Sequence, residues 1–389
     1  MAELLSYFEG FTFEGQQHTL DFGYKEDKVF PLALHNKAGW KLTVEEAVAH
    51  IEAFGQSGQL FDIVQQHGGA LLIRGLPIVD AESYSRIAHA FGFAAHEEVG
   101  RPPVRTVLAK NVKTANEGPP ELPIWPHNEY GWSTHNPAWL TFSCLDVPER
   151  GGATPIISSV GLAYRLEKEA PEFFEQLLQK GVRYLYRYGR EQVTSTTGAS
   201  VFAAYGQHVN EVDDERTIRA KIEEEVRRHS DLFEWHEDGS LSVTHIVPII
   251  RKHLPTTLTT WFGNLTSAYG RSRHHGATQP PFRGDDGSYH PLPTYGDGSP
   301  IDTAHLELAL NIAEDMQVDV QWQRGDLVLL DNYAVMHSRS AWTGKRTVLA
   351  ALWDVLEGEK DRIGDFDESR KILEGRSRYA NERQEASTP

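Results

Sequence analysis

The chain has 389 residues, 38 basic against 55 acidic, and a formal charge of −17. That balance lacks the basic field with which proteins hold nucleic acid, so no nucleic-acid partner is expected. A single cysteine, Cys144, excludes an intramolecular disulfide framework and fits a reducing compartment. No run approaches the ~18–20 apolar residues of a membrane span, and the opening MAELLSYFEG has no basic n-region of a signal peptide. The expectation is a cytoplasmic protein with no membrane partner; a homo-oligomer is left open.

The first 60 residues are mixed, with a helix opening near 42–48, where Thr43 is placed to cap and Glu46 stands three residues on. The segment GGALLIRG at 68–75 is a short apolar run between glycines, the signature of a buried strand. Residues 81–91 have helical spacing. The stretch 100–122 is Pro-rich loop with one strand, 106–109. From 123 to 160, short apolar runs (139–142 and 154–157) alternate with Pro and Gly, which is β-sheet texture. Residues 160–178 have the spacing of one amphipathic helix.

The stretch 190–300 is the least regular, with a charged helix at 213–229 and a Gly/Pro/Asp-rich passage from 283 to 300. A helix over 302–316 leads into four strand-like runs: 318–321, 327–330, 334–337 and 346–353. Short strands with scattered helices predict a mainly β protein with helical additions, a jelly roll (double-stranded β-helix) flanked by helices. The expected organisation is one domain over 1–355, with an N-terminal α/β part at 1–105 and a lid or insert at 190–300. A charged tail, 356–389, follows.

The chemistry resides in His-x-Glu/Asp pairs, among them those beginning at His96, His127, His236 and His305. A strand presents residues i and i+2 on one face, about 6–7 Å apart, so that both can reach one ion. A helix sends them to different faces, which removes His305. His236 runs into a Glu-Asp-Gly turn, where a solvated pair is the ordinary outcome, and His96 ends a helix before a loop. His127, in IWPHNEYGW, has an aromatic, strand-rich setting. Glu129 supplies the carboxylate.

A third ligand must come from a distant strand. His337 closes LLDNYAVMH, and Arg346 opens the apolar run RTVLAALW nine residues later. In isolation His337 is as well read as a core histidine. A guanidinium leading into a buried strand needs an anion, because an unpaired buried charge is costly, and Arg suits bidentate carboxylate binding. Two His and one carboxylate on one face of a metal form the ligand set of non-heme Fe(II) oxygenases.

These segments together resemble the TauD/TfdA family of Fe(II)- and 2-oxoglutarate-dependent dioxygenases, in its clavaminate synthase-like branch with Glu as the carboxylate ligand. The resemblance runs from about 65 to 355. It rests on HGGALLIRGLPI, the HNE motif, ERGGATPI, WFGN at 261–264, YGDGSPI at 295–301, GDLVLLDNYAVMHSR and GKRTVLAAL. It implies Fe(II) on His127, Glu129 and His337. It also implies 2-oxoglutarate as co-substrate, with its distal carboxylate on Arg346 and a hydrogen bond from Thr154, which lies 27 residues after His127. Oxygen takes the remaining position. Related halogenases have a small residue where Glu129 stands, so the resemblance disfavours halogenation. The implied activity is oxidation, by default hydroxylation, of an unactivated C–H in a small molecule such as an amino acid or secondary-metabolite intermediate, with release of succinate and CO2.

Candidate pocket residues are Tyr130, Trp132, His135 and Asn264, with Tyr184, Tyr186 and Tyr188 on one face if 182–188 is extended; each could equally be core packing. Two rival readings stay open on the residues alone. One is a Zn(II) or Mn(II) isomerase or hydrolase on the same jelly roll, which leaves Arg346 and Thr154 without a shared ligand. The other is a non-catalytic binding module.

Overall fold

The computed structural model describes residues 7–37, 41–100, 105–115, 119–191, 200–287, 289–355, 362–368 and 371–372. Most of the expected charged tail, 356–389, lies outside the described residues. Eight strands are divided between two sheets. Val112–Thr114, Trp139–Asp146, Leu327–Asp331 and Thr347–Asp354 belong to the larger sheet; Ile124–His127, Thr154–Ser158, Val318–Val320 and Val335–Arg339 form the smaller. The chain crosses from sheet to sheet at every step but one, from Thr154–Ser158 to its neighbour Val318–Val320, which makes the expected jelly roll.

Period-two patterning explains why these runs pair. Leu140, Phe142 and Cys144 point into a core shared with Ile156, Val318, Val335 and Met336 of the smaller sheet. Their neighbours Trp139, Leu329, Leu349, Ala351 and Trp353 face the opposite way. That outer face is covered by the helices Val44–Gln56, Gln59–Gln66 and Ala81–His89. The first begins as anticipated: Thr43 accepts from the Glu46 N–H and the Glu46 carboxylate accepts from the Thr43 N–H, closing a capping box. The larger sheet is extended by Ala70–Arg74 and, parallel to it, Leu32–Asn36.

Three sequence expectations change in detail. The single helix at 160–178 is two, Ser159–Glu169 and Pro171–Lys180, because Pro171 lacks an N–H and disfavours helical backbone at Ala170. The stretch 100–122 holds a hairpin, Val107–Ala109 with Val112–Thr114, rather than one strand. The stretch 190–300 is more regular than its composition implied. Leu232–Trp235 and Leu241–Val247 join Val182–Tyr188 and Thr294–Tyr295 in a four-stranded sheet, with helices Glu215–Arg227 and Leu265–His274 beside it. No helix among the described residues is long and apolar enough to cross a membrane.

Candidate active site

Sheet register brings the two imidazoles together. In the smaller sheet His337 pairs directly with His127, and their ring centroids stand 4.3 Å apart. Glu129 is not on the strand, contrary to the argument that singled out the pair. The strand ends at His127, and Glu129 sits in the turn that follows.

Two asparagines shape that turn. The Asn332 carboxamide accepts from the Glu129 N–H at 2.9 Å and donates to the Glu129 carbonyl at 2.9 Å. Asn128, fully buried, donates to the Asn332 carbonyl at 2.7 Å and accepts from the Gly263 N–H at 3.0 Å. Tyr130 takes a left-handed φ of 55°, a conformation costing ~1–2 kcal/mol outside glycine, which these bonds offset. Gly131 then passes so close to Gly263 that a Cβ would lie 2.7 Å from its Cα.

The donor atoms converge. Glu129 Oε2 is 3.4 Å from His337 Nε2 and 3.8 Å from His127 Nε2. Donors ~2.0–2.2 Å from one ion at right angles are about 3 Å apart, so a small contraction would seat a metal. His127 Nδ1 lies 2.8 Å from the Trp125 carbonyl. That contact needs Nδ1–H as donor and leaves the Nε2 lone pair toward the centre. Burial, helped by the neighbouring His337, lowers the His127 pKa to about 4 and keeps the ring neutral. Burial opposes ionisation of Glu129, yet Arg105 and the two imidazoles hold its carboxyl well below the usual carboxylate range. Arg105 Nη2 donates to Glu129 Oε1 at 2.8 Å, which occupies one carboxylate oxygen and leaves Oε2 for the centre.

The cavity around these residues has about 170 Å³ of room for water-sized occupants, over ten times the ~10–15 Å³ one water needs. Arg346 and Thr154 share its wall. Arg346 Nε donates to the Gly152 carbonyl at 2.9 Å and Nη2 to Thr154 Oγ1 at 3.2 Å. Among the described residues no carboxylate pairs with this guanidinium, whose pKa burial lowers to about 10. Thr154 Oγ1 also accepts from Trp322 Nε1 at 3.0 Å. With both lone pairs engaged, the hydroxyl proton is free to donate to an anion beside Arg346.

Of the pocket candidates, Tyr130, Trp132, Asn264, Tyr186 and Tyr188 line the cavity. Residues 182–188 are extended as anticipated, but Tyr184 instead accepts from the Asn264 N–H at 3.0 Å and is not in the wall. His135 sits apart, with Nε2 2.6 Å from the Glu97 carbonyl. The three pairs set aside on sequence grounds have structural partners: His96 with Asp354, His236 with Ser242, and His305 stacked on Phe173. Sequence reasoning missed Arg105, Asn332, Trp322 and Arg271. Isolated cations, a tryptophan and a polar residue in a turn acquire meaning only through tertiary contacts, 24 positions away for Arg105, 168 for Trp322 and 203 for Asn332.

A second group with metal-ligand chemistry exists among the described residues: His275, Asp286 and His290. His275 Nδ1 is 2.7 Å from Asp285 Oδ1, His290 Nε2 is 3.0 Å from Asp286 Oδ1, and the two rings stack 4.9 Å apart.

A model of the family described as taurine catabolism dioxygenase TauD, TfdA family matches residues 46–353. A clavaminate synthase-like protein of Arabidopsis thaliana is 31% identical over 293 residues, 75% of this chain and 83% of that protein. The dapdiamide synthesis protein DdaC of Enterobacter agglomerans is 25% identical over 320 residues, 80% of this chain and 90% of that protein. Among solved structures, a taurine dioxygenase from Burkholderia xenovorans aligns over 90% of each chain at 13% identity and a TM-score of 0.43.

Proposed function

The chain belongs to the TauD/TfdA family of Fe(II)- and 2-oxoglutarate-dependent dioxygenases, and from that premise we propose that its cavity oxidises a C–H bond of a small organic molecule. In this reading His127, Glu129 and His337 hold Fe(II), and Arg346 with the Thr154 hydroxyl holds the distal carboxylate of 2-oxoglutarate. Hydroxylation is the default outcome, with 2-oxoglutarate converted to succinate and CO2. The single observation that carries the reading is the joint one: three convergent donors share a cavity with a guanidinium that has no carboxylate of its own.

When bound, the iron and its co-substrate supply the oxidising chemistry; the protein supplies position and exclusion of water. The neutral His127 imidazole offers a lone pair without a proton to displace, and the carboxylate balances the ion's charge. Arg105 restricts Glu129 to one ligand oxygen, which keeps coordination positions open for co-substrate and oxygen. Asn332 fixes the turn from which Glu129 projects, so the third donor is set before metal arrives. Arg346 and Thr154 orient the diacid so that its other end reaches the centre, and Trp322 holds the Thr154 hydroxyl in the rotamer this needs.

We read residues 1–355 as one jelly-roll domain, with 1–105 as its N-terminal part and 190–300 as an insert that covers the cavity. The insert's contribution to the wall, through Asn264, Ser267 and Arg271, supports that division.

Anaerobic addition of Fe(II) and then 2-oxoglutarate tests the proposal. The expected result is a weak visible charge-transfer band, followed on admission of oxygen by succinate. Tight metal binding with neither band nor succinate would overturn it in favour of a non-oxygenase metalloenzyme.

A further inference from the structure

Arg271 is half-buried, its Nε is enclosed with no hydrogen-bond partner, and neither the metal centre nor the 2-oxoglutarate site uses it. It lies on the helix Leu265–His274, which is locked to the strand carrying His127. Thr266 Oγ1 donates to the Pro126 carbonyl at 2.6 Å, and the Trp125 ring lies so close over Gly270 that a Cβ there would be 2.4 Å from it. This platform sets Arg271 in the wall of the cavity that holds the triad. Tyr186, Asn264, Ser267 and Ala268 line the same cavity.

The electrostatics of the residue are unusual for this protein. Arg271 Nε is buried with no hydrogen-bond partner, and among the described residues no carboxylate lies within ion-pair distance of the guanidinium. Burial lowers its pKa, which Tyr186 and Asp286 offset in part. Arg74, Arg105 and Arg362 pair with Asp326, Glu129 and Asp331, and Arg251, Arg339 and Arg346 donate to backbone carbonyls; among the described residues the Arg271 guanidinium has neither kind of partner. An arginine held in a cavity wall without a counter-ion carries the desolvation cost of a charge and none of the compensating attraction. A ligand oxyanion removes that cost, and a planar guanidinium fits a carboxylate in two-point contact.

We propose that Arg271 binds the carboxylate of the organic substrate, so that the substrate class is small carboxylic acids, amino acids included. The inference rests on the oxygenase reading and names the substrate class for that site. Arg346 takes the co-substrate diacid on one wall, and Arg271 takes the substrate acid on another. The two anions are thereby kept from exchanging places, and the substrate's carbon skeleton is directed toward the metal.

The test uses two measurements on the full chain. In the first, thermal unfolding of ligand-free wild type is compared with Arg271→Met and Arg271→Gln. Removing an unsatisfied charge is expected to raise Tm by about 2–4 °C; a fall in both variants would show that the protein already satisfies the guanidinium and would overturn the proposal. In the second, sodium propionate is titrated under anaerobic conditions with Fe(II) and saturating 2-oxoglutarate, against sodium chloride at matched ionic strength. Wild type should show a propionate-specific rise in Tm that R271Q lacks. An equal response in both proteins, or none in wild type, would overturn the assignment. Succinate release by wild type without added substrate judges the oxygenase reading separately. Its absence would fault that reading while the propionate shift still decides whether Arg271 is an anion site.

Discussion

The described residues contain two groups of two histidines and a carboxylate, and they differ in everything except ligand count. His275 follows the helix Leu265–His274, and Asp286 and His290 lie in the Gly/Pro/Asp-rich passage; Asp286 is exposed and the imidazoles are hydrogen-bonded to neighbouring aspartates. His127, Glu129 and His337 come from two paired strands and the turn after one of them. They share a cavity with Arg346, and asparagines on both sides hold the turn. Ligand identity is therefore the weaker half of a metal site. The stronger half is a scaffold that holds the donors in place before the ion arrives and adjoins space for a co-substrate.

The sharpest way to break this contrast is to remove one donor from each group. His337→Ala is expected to abolish anaerobic Fe(II) binding in equilibrium dialysis and to lower 2-oxoglutarate turnover by about 1,000-fold or more, because the oxidising chemistry depends on the metal. His290→Ala should change turnover less than about two-fold, because His290, though buried, is not in the wall of the cavity. Comparable losses in the two variants would mean that the loop group, too, belongs to the chemistry.

The next largest effect concerns the cation beside the triad. Arg346→Gln should raise the KM for 2-oxoglutarate by roughly 30–1,000-fold, the loss of ~2–4 kcal/mol for a buried charge pair. Arg346→Lys should recover only part of it, because an ammonium is a point charge rather than a planar fork. A KM unchanged in R346Q would dissociate the cavity from the family's co-substrate.

The support for Glu129 can be tested without touching a ligand atom. Asn332→Ala removes a donor and an acceptor from the turn backbone and should weaken Fe(II) affinity about 10–100-fold, the range seen when groups behind metal ligands are removed. If affinity holds while stability falls, the asparagine serves the fold alone.

Strands, capping box and ligand candidates were legible because each is written locally. Alternation of apolar residues announces a strand, Thr43 with Glu46 announces a helix start, and His127, Glu129 and Arg346 stand in short recognisable contexts. The reason Glu129 comes beside the two imidazoles was not legible. Strand periodicity pointed to this residue, but the backbone turns there, held by an asparagine 203 positions away. Arg105 and Arg271 were missed for the same cause. A lone arginine in a Pro-rich stretch or on a helix is ordinary, and only tertiary placement makes one a clamp on a ligand and leaves the other without an anion. Register can be inferred from pattern; which cation ends beside which carboxylate depends on contacts between elements that share no local signal.

A third group of imidazoles extends the comparison to acid. His229 and His245 are buried against Trp132, their rings 4.6 Å apart, with no carboxylate between them. Burial lowers the His229 pKa to about 2, with His245 adding to it, and burial lowers that of His245 to about 3. In the unfolded chain both titrate near 6.5. The stability these neutral rings contribute is therefore complete above pH ~6.5 and is lost as pH falls toward the folded values, since the unfolded state takes up protons that the native state refuses. Between pH 7.5 and 5.0 each ring should cost about 2 kcal/mol. Urea unfolding of the metal-free protein at the two pH values measures this. His245→Phe should shrink the acid loss by about one ring's share, because phenylalanine fills the same aromatic contact without titrating. An acid loss in H245F equal to that of wild type would mean that His245 is protonated in the native state. Such a ring would have a hidden counter-charge.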